Sequence, residues 1–190
     1  MGQEARRDVL QVLIHDHREV EEMFSRWEKG DIGDGRNKRD LVDHITVELV
    51  RHSVAEEQHL YPAVRERVPG GDAIADKEIG DHADVEQLLK DLEGIEPADT
   101  RFDATLSRLI AAVRGHIQEE ESVLFPQLAS ASSAEDLLDL GDKVAAAKKT
   151  APTRPHPSAP DTPPANRITG PALGLVDRIR DAVGNRATDR

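Results

Sequence analysis

One pattern occurs twice in this chain. It opens at His52 and closes at Pro62, and it opens again at His116 and closes at Pro126. Both copies read His-x-x-x-Glu-Glu-x-x-Leu-aromatic-Pro. On an α-helix, side chains four residues apart share a face, one turn above the other. His52 therefore lines up with Glu56, and His116 with Glu120. An imidazole and a carboxylate so placed can grip one metal ion, or one ion and its neighbour. The rest of the chain has to bring these two faces together.

Apolar spacing supplies the helices to do it. Over 3–29, Leu10, Leu13, His17, Val20, Phe24 and Trp27 recur at intervals of three and four, the mark of a helix with one inward stripe. The run from Gly30 to Gly35 breaks the pattern. A second helix is predicted over 37–67, with Val42, Ile45, Leu49, His52 and Glu56 inward and a kink or end at Pro62. The third, over 72–92, points Ala75, Ile79, His82, Val85, Leu89 and Leu92 inward. The fourth, over 100–129, points Phe102, Leu106, Leu109, Val113, His116 and Glu120 inward, and Pro126 repeats the role of Pro62. Each stripe carries a His near its middle. Helices of this length on short loops pack most simply as an all-α, up-down-up-down antiparallel four-helix bundle, in which the four His meet at a similar level.

A short fifth helix is predicted over 133–149, with Ser133 as N-cap, Glu135 and Asp136 in its first turn and Lys148 and Lys149 in its last. Residues 1–149 thus read as one unit. Residues 150–170 hold six of the 11 prolines and read as an extended or disordered linker. Over 171–184, Leu173, Val176, Ile179 and Val183 form a short amphipathic helix in a tail that runs to residue 190.

Composition narrows the function. Charged residues make up 33% and aromatics 3%, which suits helices with long solvated faces. With no Cys, thiolate sites, disulfides and iron–sulfur clusters are excluded. Neither a membrane-spanning apolar run nor the apolar core of a signal peptide is present, so the expected location is cytoplasmic. A net charge of −12 argues against nucleic acid as a partner. No nucleophile triad, phosphate loop or nucleotide fingerprint occurs.

A single His on a helix face is more often structural than a ligand. Four at the middle of four stripes, with Glu56 and Glu120, would place six ionisable groups in one core. Burying charge costs several kcal/mol per group unless it is paired or bound to metal, roughly the scale at which a fold fails. Metal is the simplest remedy. The order His17, His52-x3-Glu56, His82, His116-x3-Glu120, with Asp-His at 16–17 and 81–82, resembles the hemerythrin-like, or HHE cation-binding, family over about residues 5–130. That resemblance implies a four-helix bundle around two iron ions, oxo- or hydroxo-bridged. It further implies that Glu56 and Glu120 bridge, with His17 and His52 towards one iron and His82 and His116 towards the other. A small diatomic or peroxide ligand would take an open position.

The pattern departs from the oxygen-carrying members, which have His-x3-His on the third helix. Here Glu78 and Glu86 flank His82 at that spacing. Glu78 is either an oxygen ligand or an ordinary exposed helix residue. His59 lies three residues beyond Glu56, giving a Glu-x-x-His of the kind used by ferritin-like bundles, but Val123 occupies the matching place on the fourth helix. His59 is thus an additional ligand candidate or a partner behind the ligands. Glu57 and Glu121 point about 100° off the ligand face and read as outer or surface groups. Tyr61 and Phe125 read as packing aromatics, Tyr61 with the further option of ligation or electron transfer. His15, His44 and His156 read as uninvolved.

The expected function is binding of, or reaction with, a small oxidant: dioxygen, peroxide or nitric oxide. If the chain is an enzyme, catalase-like peroxide disproportionation is the first candidate. The expected pocket walls are Val20, Phe24, Leu49, Ile79, Val85, Leu109 and Val113. Two other readings stand beside this one. One is an iron- or oxygen-dependent sensor whose C-terminal helix meets a protein partner. The other is a structural metal-binding bundle. A monomer or homodimer is expected.

Overall fold

The computed structural model describes residues 6–32, 35–159, 161, 166, 173 and 177, and among these the regular structure is all helical, with no strand. The helices are α1 (Val9–Glu28), α2 (Gly35–Ala55), α3 (Tyr61–Arg67), α4 (Gly71–Glu93), α5 (Thr100–Glu119), α6 (Phe125–Ala131) and α7 (Ala134–Thr150). Two five-residue π-helical turns, Glu56–Leu60 and Glu120–Leu124, join α2 to α3 and α5 to α6.

The caps explain where the helices begin. Asp8 accepts from the Gln11 backbone N–H while the Gln11 side chain reaches back to the Asp8 N–H, a reciprocal capping box. Ser133 and Asp136 do the same for α7. Between α3 and α4 the chain reverses at Gly70, whose φ of 73° is in the left-handed region that glycine adopts without penalty.

The π turns occur where the repeat places its prolines. In a continuing α-helix, Pro62 could not donate to the carbonyl four residues back, and its ring would strike that carbonyl. Widening the turn relieves the clash: the Tyr61 N–H donates to the Glu56 carbonyl and the Phe125 N–H to the Glu120 carbonyl, five residues back. The second and fourth predicted helices are therefore each two α-helices joined through a wider turn.

Packing splits the interior into two apolar clusters. One gathers Val20, Phe24, Ile45, Leu49, Val85, Leu89, Leu106, Leu109 and Val113. The other gathers Val9, Leu13, Ala55, Leu60, Val64, Ala75, Leu124, Leu128 and Val144. His17 lies on α1 between Leu13 and Val20, so the change from one cluster to the other passes through the polar layer. Helix α7 packs on α1 and α2. Gly141 allows this, because a Cβ there would run into the backbone of Arg7 and Asp8.

The predicted linker begins as irregular chain, but Ala151, Pro152, Thr153 and Pro155 are buried rather than solvated. Buried Asp177 gathers the segment through its Oδ2, which accepts from the Thr153 N–H at 3.2 Å and the Arg154 N–H at 3.1 Å. The His156 N–H donates to Glu86 Oε1 on α4 at 2.7 Å. Most of the predicted amphipathic helix over 171–184 lies outside the described residues. Leu173 and Asp177, both in helical conformation, are the described part. No described helix is long and apolar enough to cross a membrane.

Candidate metal centre

The polar layer brings His17, His52, Glu56, His82, His116 and Glu120 together, all within 7% exposure. Ligand atoms of His17, His52, Glu56 and Glu120 lie within 4.8 Å of one another, as do those of Glu56, His82 and His116. The imidazoles form two pairs through their Nε2 atoms, His17 with His52 at 3.3 Å and His82 with His116 at 3.2 Å. Each central carboxylate spans both pairs. Glu56 Oε2 is 3.2 Å from His52 Nε2 and 3.3 Å from His82 Nε2. Glu120 Oε2 is 3.4 Å from His17 Nε2 and 3.5 Å from His116 Nε2. All four Nε2 atoms thus converge on the space between two carboxylates.

The outer nitrogens are held by a second ring of acids, each from the neighbouring helical arm. Asp16 of α1 faces His52 Nδ1 at 3.2 Å, and Glu57 of the first π turn faces His82 Nδ1 at 3.0 Å. Glu121 of the second π turn faces His17 Nδ1 at 2.9 Å. Glu78 of α4 lies 2.8 Å from His116 Nδ1, without the alignment of a hydrogen bond. A carboxylate behind an imidazole fixes its tautomer and aims the other nitrogen inward.

Cations back three of these four acids. Lys148 of α7 reaches Asp16 Oδ1 at 2.6 Å, Arg18 reaches Glu121 at 2.5 Å, and Lys77 lies 3.8 Å from Glu78. Glu57 differs. Burial raises its affinity for a proton, His82 pulls it back, and the acids Glu86 and Asp161 add to the rise.

The two aromatics of the repeat also enter the site. Phe125 stacks on His17 with ring centroids 5.9 Å apart. In the other half, the Tyr61 hydroxyl lies 3.1 Å from His82 Nε2 and donates to Glu120 Oε1 at 3.3 Å. Burial, then the charges of Glu56 and Glu120, push its phenol well above the ordinary value, so Tyr61 stays protonated.

Charge in the layer is strongly coupled. Burial alone would lower the His52 imidazole, but Glu56 and Asp16 outweigh it and hold its pKa at about 10. For His82, burial is likewise outweighed by Glu56 and Glu57, again giving about 10. Burial would raise the Glu56 carboxyl, yet His52 and His82 bring it well below the usual range. Asp16 ends below its usual value because His52 and Lys148 outweigh its burial.

The donor set fits a cation. Both oxygens of Glu56 and Oε2 of Glu120 are fully buried with no hydrogen-bond partner. Orphaned buried acceptors are costly unless something positive meets them. Imidazole nitrogens with carboxylate oxygens suit borderline divalent and trivalent metals.

His59 does not join the cluster. It lines a surface cleft with Pro62, Glu66 and Leu140. Its predicted inward direction assumed an uninterrupted α-period, and the π turn after Glu56 breaks that period. Glu78 is 1% exposed. It forms a possible ligand group with His116 and Glu120, while its closest approach is to the outer nitrogen of His116. Periodicity does not single out Asp16 or Lys148, while Glu57 and Glu121, read as outer or surface groups, take outer places behind His82 and His17. The doubled Glu of each repeat was the available signal, since its second member reaches the next helical arm. Of the predicted pocket walls, Val20, Leu49, Val85 and Val113 border a cavity of about 20 Å³ beside the imidazoles, whereas Ile79 lines an adjoining outer cavity. His156, read as uninvolved, binds Glu86 and Asp177. His15 is exposed, 3.6 Å from Glu19.

Comparison with known proteins agrees with this geometry. The chain is 28% identical over 174 residues to an uncharacterized hemerythrin-like protein of Schizosaccharomyces pombe, covering 91% of this chain and 85% of that protein. It is also 28% identical over 142 residues to a DNA nickase of Nostoc, covering 74% of this chain but 39% of the nickase. No solved structure matches the chain. The hemerythrin HHE cation binding domain matches residues 8–128, which contain all six central residues. The chain belongs to the hemerythrin HHE cation-binding family.

Proposed function

We propose that the chain is a di-iron protein that binds or reacts with a small oxidant, with peroxide breakdown as its first candidate activity. The observation that carries this reading is the convergence of four Nε2 atoms on two buried carboxylates, three of whose four oxygens have no hydrogen-bond partner. His17 and His52 would hold one iron and His82 and His116 the other, with Glu56 and Glu120 bridging. The short loops and the level of the four His support an up-down-up-down arrangement of the long helices. Paired iron supplies two-electron redox chemistry, as the disproportionation of peroxide requires: one molecule is reduced to water and a second is oxidised to dioxygen.

The chain's own residues prepare that space. Asp16, Glu57, Glu78 and Glu121 orient the imidazoles. Val20, Leu49, Val85 and Val113 keep the cavity apolar. The protonated Tyr61 hydroxyl is a hydrogen-bond donor inside the layer. DNA cleavage is not part of this reading, since the net charge of −12 opposes a polyanion.

Metal analysis and an optical spectrum of the protein purified in air, repeated after peroxide addition, test the proposal. Two irons per chain, near-ultraviolet bands and gas evolution are expected. Absence of iron overturns the di-iron reading, and two irons without turnover removes the peroxide activity. In that last case the sensor reading gains, and one observation favours it: the segment beyond α7 is tied to α4 within one turn of His82, through Glu86.

A further inference from the structure

Two cavities meet beside His82. The inner one, about 20 Å³, touches the imidazoles. The outer one, about 80 Å³, lies between α2, α4 and the C-terminal segment. Leu49, Ser53, His82 and Val85 line both, so one layer of side chains separates them. Ser53 is the smallest of the four and is half-buried. Two other surface clefts, one beside His59 and one beside Arg101, share no residue with the inner cavity.

Covering the outer cavity is the chain after α7. Pro152, His156 and Pro157 form part of its wall. Polar contacts hold this cover in place. Asp177 Oδ2 accepts from the Thr153 and Arg154 N–H groups and lies 2.9 Å from His156 Nε2. The His156 N–H is bound to Glu86, and Arg154 Nη1 lies 3.3 Å from Glu93. The inner cavity has room for about one water or diatomic molecule. Three acids, Glu57, Glu86 and Asp161, line the outer one, and its cation Arg154 and its His156 are themselves paired with Glu93 and Asp177, so the lining offers anions little.

We propose that the α2–α4 face is the route by which a small uncharged ligand reaches the centre, with Ser53 as its throat and residues 151–159, latched by Asp177, as its outer cover. This rests on the di-iron reading. Widening or loosening the cover changes how fast a ligand arrives, while the centre itself stays the same.

The test is stopped-flow nitric oxide binding to the full-length, ferrous-loaded protein, comparing wild type with Ser53→Leu and Asp177→Ala. Iron content and amide exchange of Thr153 and Arg154 are measured alongside. Ser53→Leu is expected to slow binding by about tenfold or more with iron content kept. Asp177→Ala is expected to speed binding and to accelerate exchange of the two amides in loaded and metal-free protein alike. Iron-loaded variants that both bind nitric oxide at the wild-type rate overturn the proposal and leave the di-iron reading standing. A wild-type chain that takes up no iron overturns that reading and the proposal with it. If Ser53→Leu does not fold, Asp177→Ala decides alone, because an unchanged binding rate with faster amide exchange shows that the cover does not control entry.

Discussion

Four imidazoles at the centre are each backed by an acid from the preceding helical arm, in a closed ring that runs from Asp16 to His52, Glu57 to His82, Glu78 to His116 and Glu121 to His17. An imidazole aimed by its outer partner loses affinity for metal when that partner loses its charge. Asp16→Asn and Glu57→Gln are therefore each expected to weaken metal binding roughly 10–100-fold with the fold intact, as read by competition with a chromophoric chelator. Protons compete for the same nitrogens. The pKa values of His52 and His82 are raised from 6.5 to about 10 in the metal-free chain. Because the folded values exceed the unfolded ones, their contribution to metal-free stability is full below about 6.5 and is lost as pH rises towards about 10. Metal binding has the opposite sign, since Nε2 must lose its proton to ligate. Affinity is expected to rise with pH up to about 10, with proton release on loading measurable in weakly buffered solution. The ligand candidates themselves were legible in the sequence because His and Glu interrupt apolar stripes. The outer ring was legible in part: Glu57 and Glu121 read as outer or surface groups and Glu78 as a possible ligand, whereas Asp16 escaped because it serves a helix other than its own.

At the scale of elements, the legible features were those set by local chemistry. Stripes, caps and glycine breaks marked the helices closely, and Ser133 with Asp136 marked α7. The two π turns escaped because a proline in a helical pattern signals a disturbance without saying what form it takes. A kink would have kept His59 near the ligand face, whereas the wider turn brings Tyr61 and Phe125 into the layer and leaves His59 in a surface cleft. Docking of α7 was equally hidden, since it depends on a missing Cβ at Gly141. Gly141→Ala is expected to force α7 away from the start of α1 and to cost about 1–3 kcal/mol by urea denaturation, against the small gain in helix propensity that Ala brings.

Over the whole molecule, the apolar clusters above and below the polar layer are joined through groups that a cation satisfies. A ligand bound only by the folded state adds stability according to its concentration, about 2.7 kcal/mol at one hundred times Kd. Chelation is therefore expected to lower Tm, and stepwise addition of ferrous ion to raise it, by calorimetry. Such a rise tests metal binding without reference to any reaction. The C-terminal half of the molecule also takes part in the centre. Lys148 reaches Asp16 behind His52, and Glu86, which holds the tail, lies one turn from His82. The near-symmetry of the repeat is broken by these neighbours. Asp16, Glu121 and Glu78 each have a Lys or Arg close by, while burial, with Glu86 and Asp161 adding to it, raises the proton affinity of Glu57 against the pull of His82. Under the di-iron reading, the two ends of the centre would offer their ions unlike surroundings, with Glu57 behind His82 and Asp16 with Lys148 behind His52. A sequence duplicated along the chain thereby becomes, in space, two halves that are no longer equivalent.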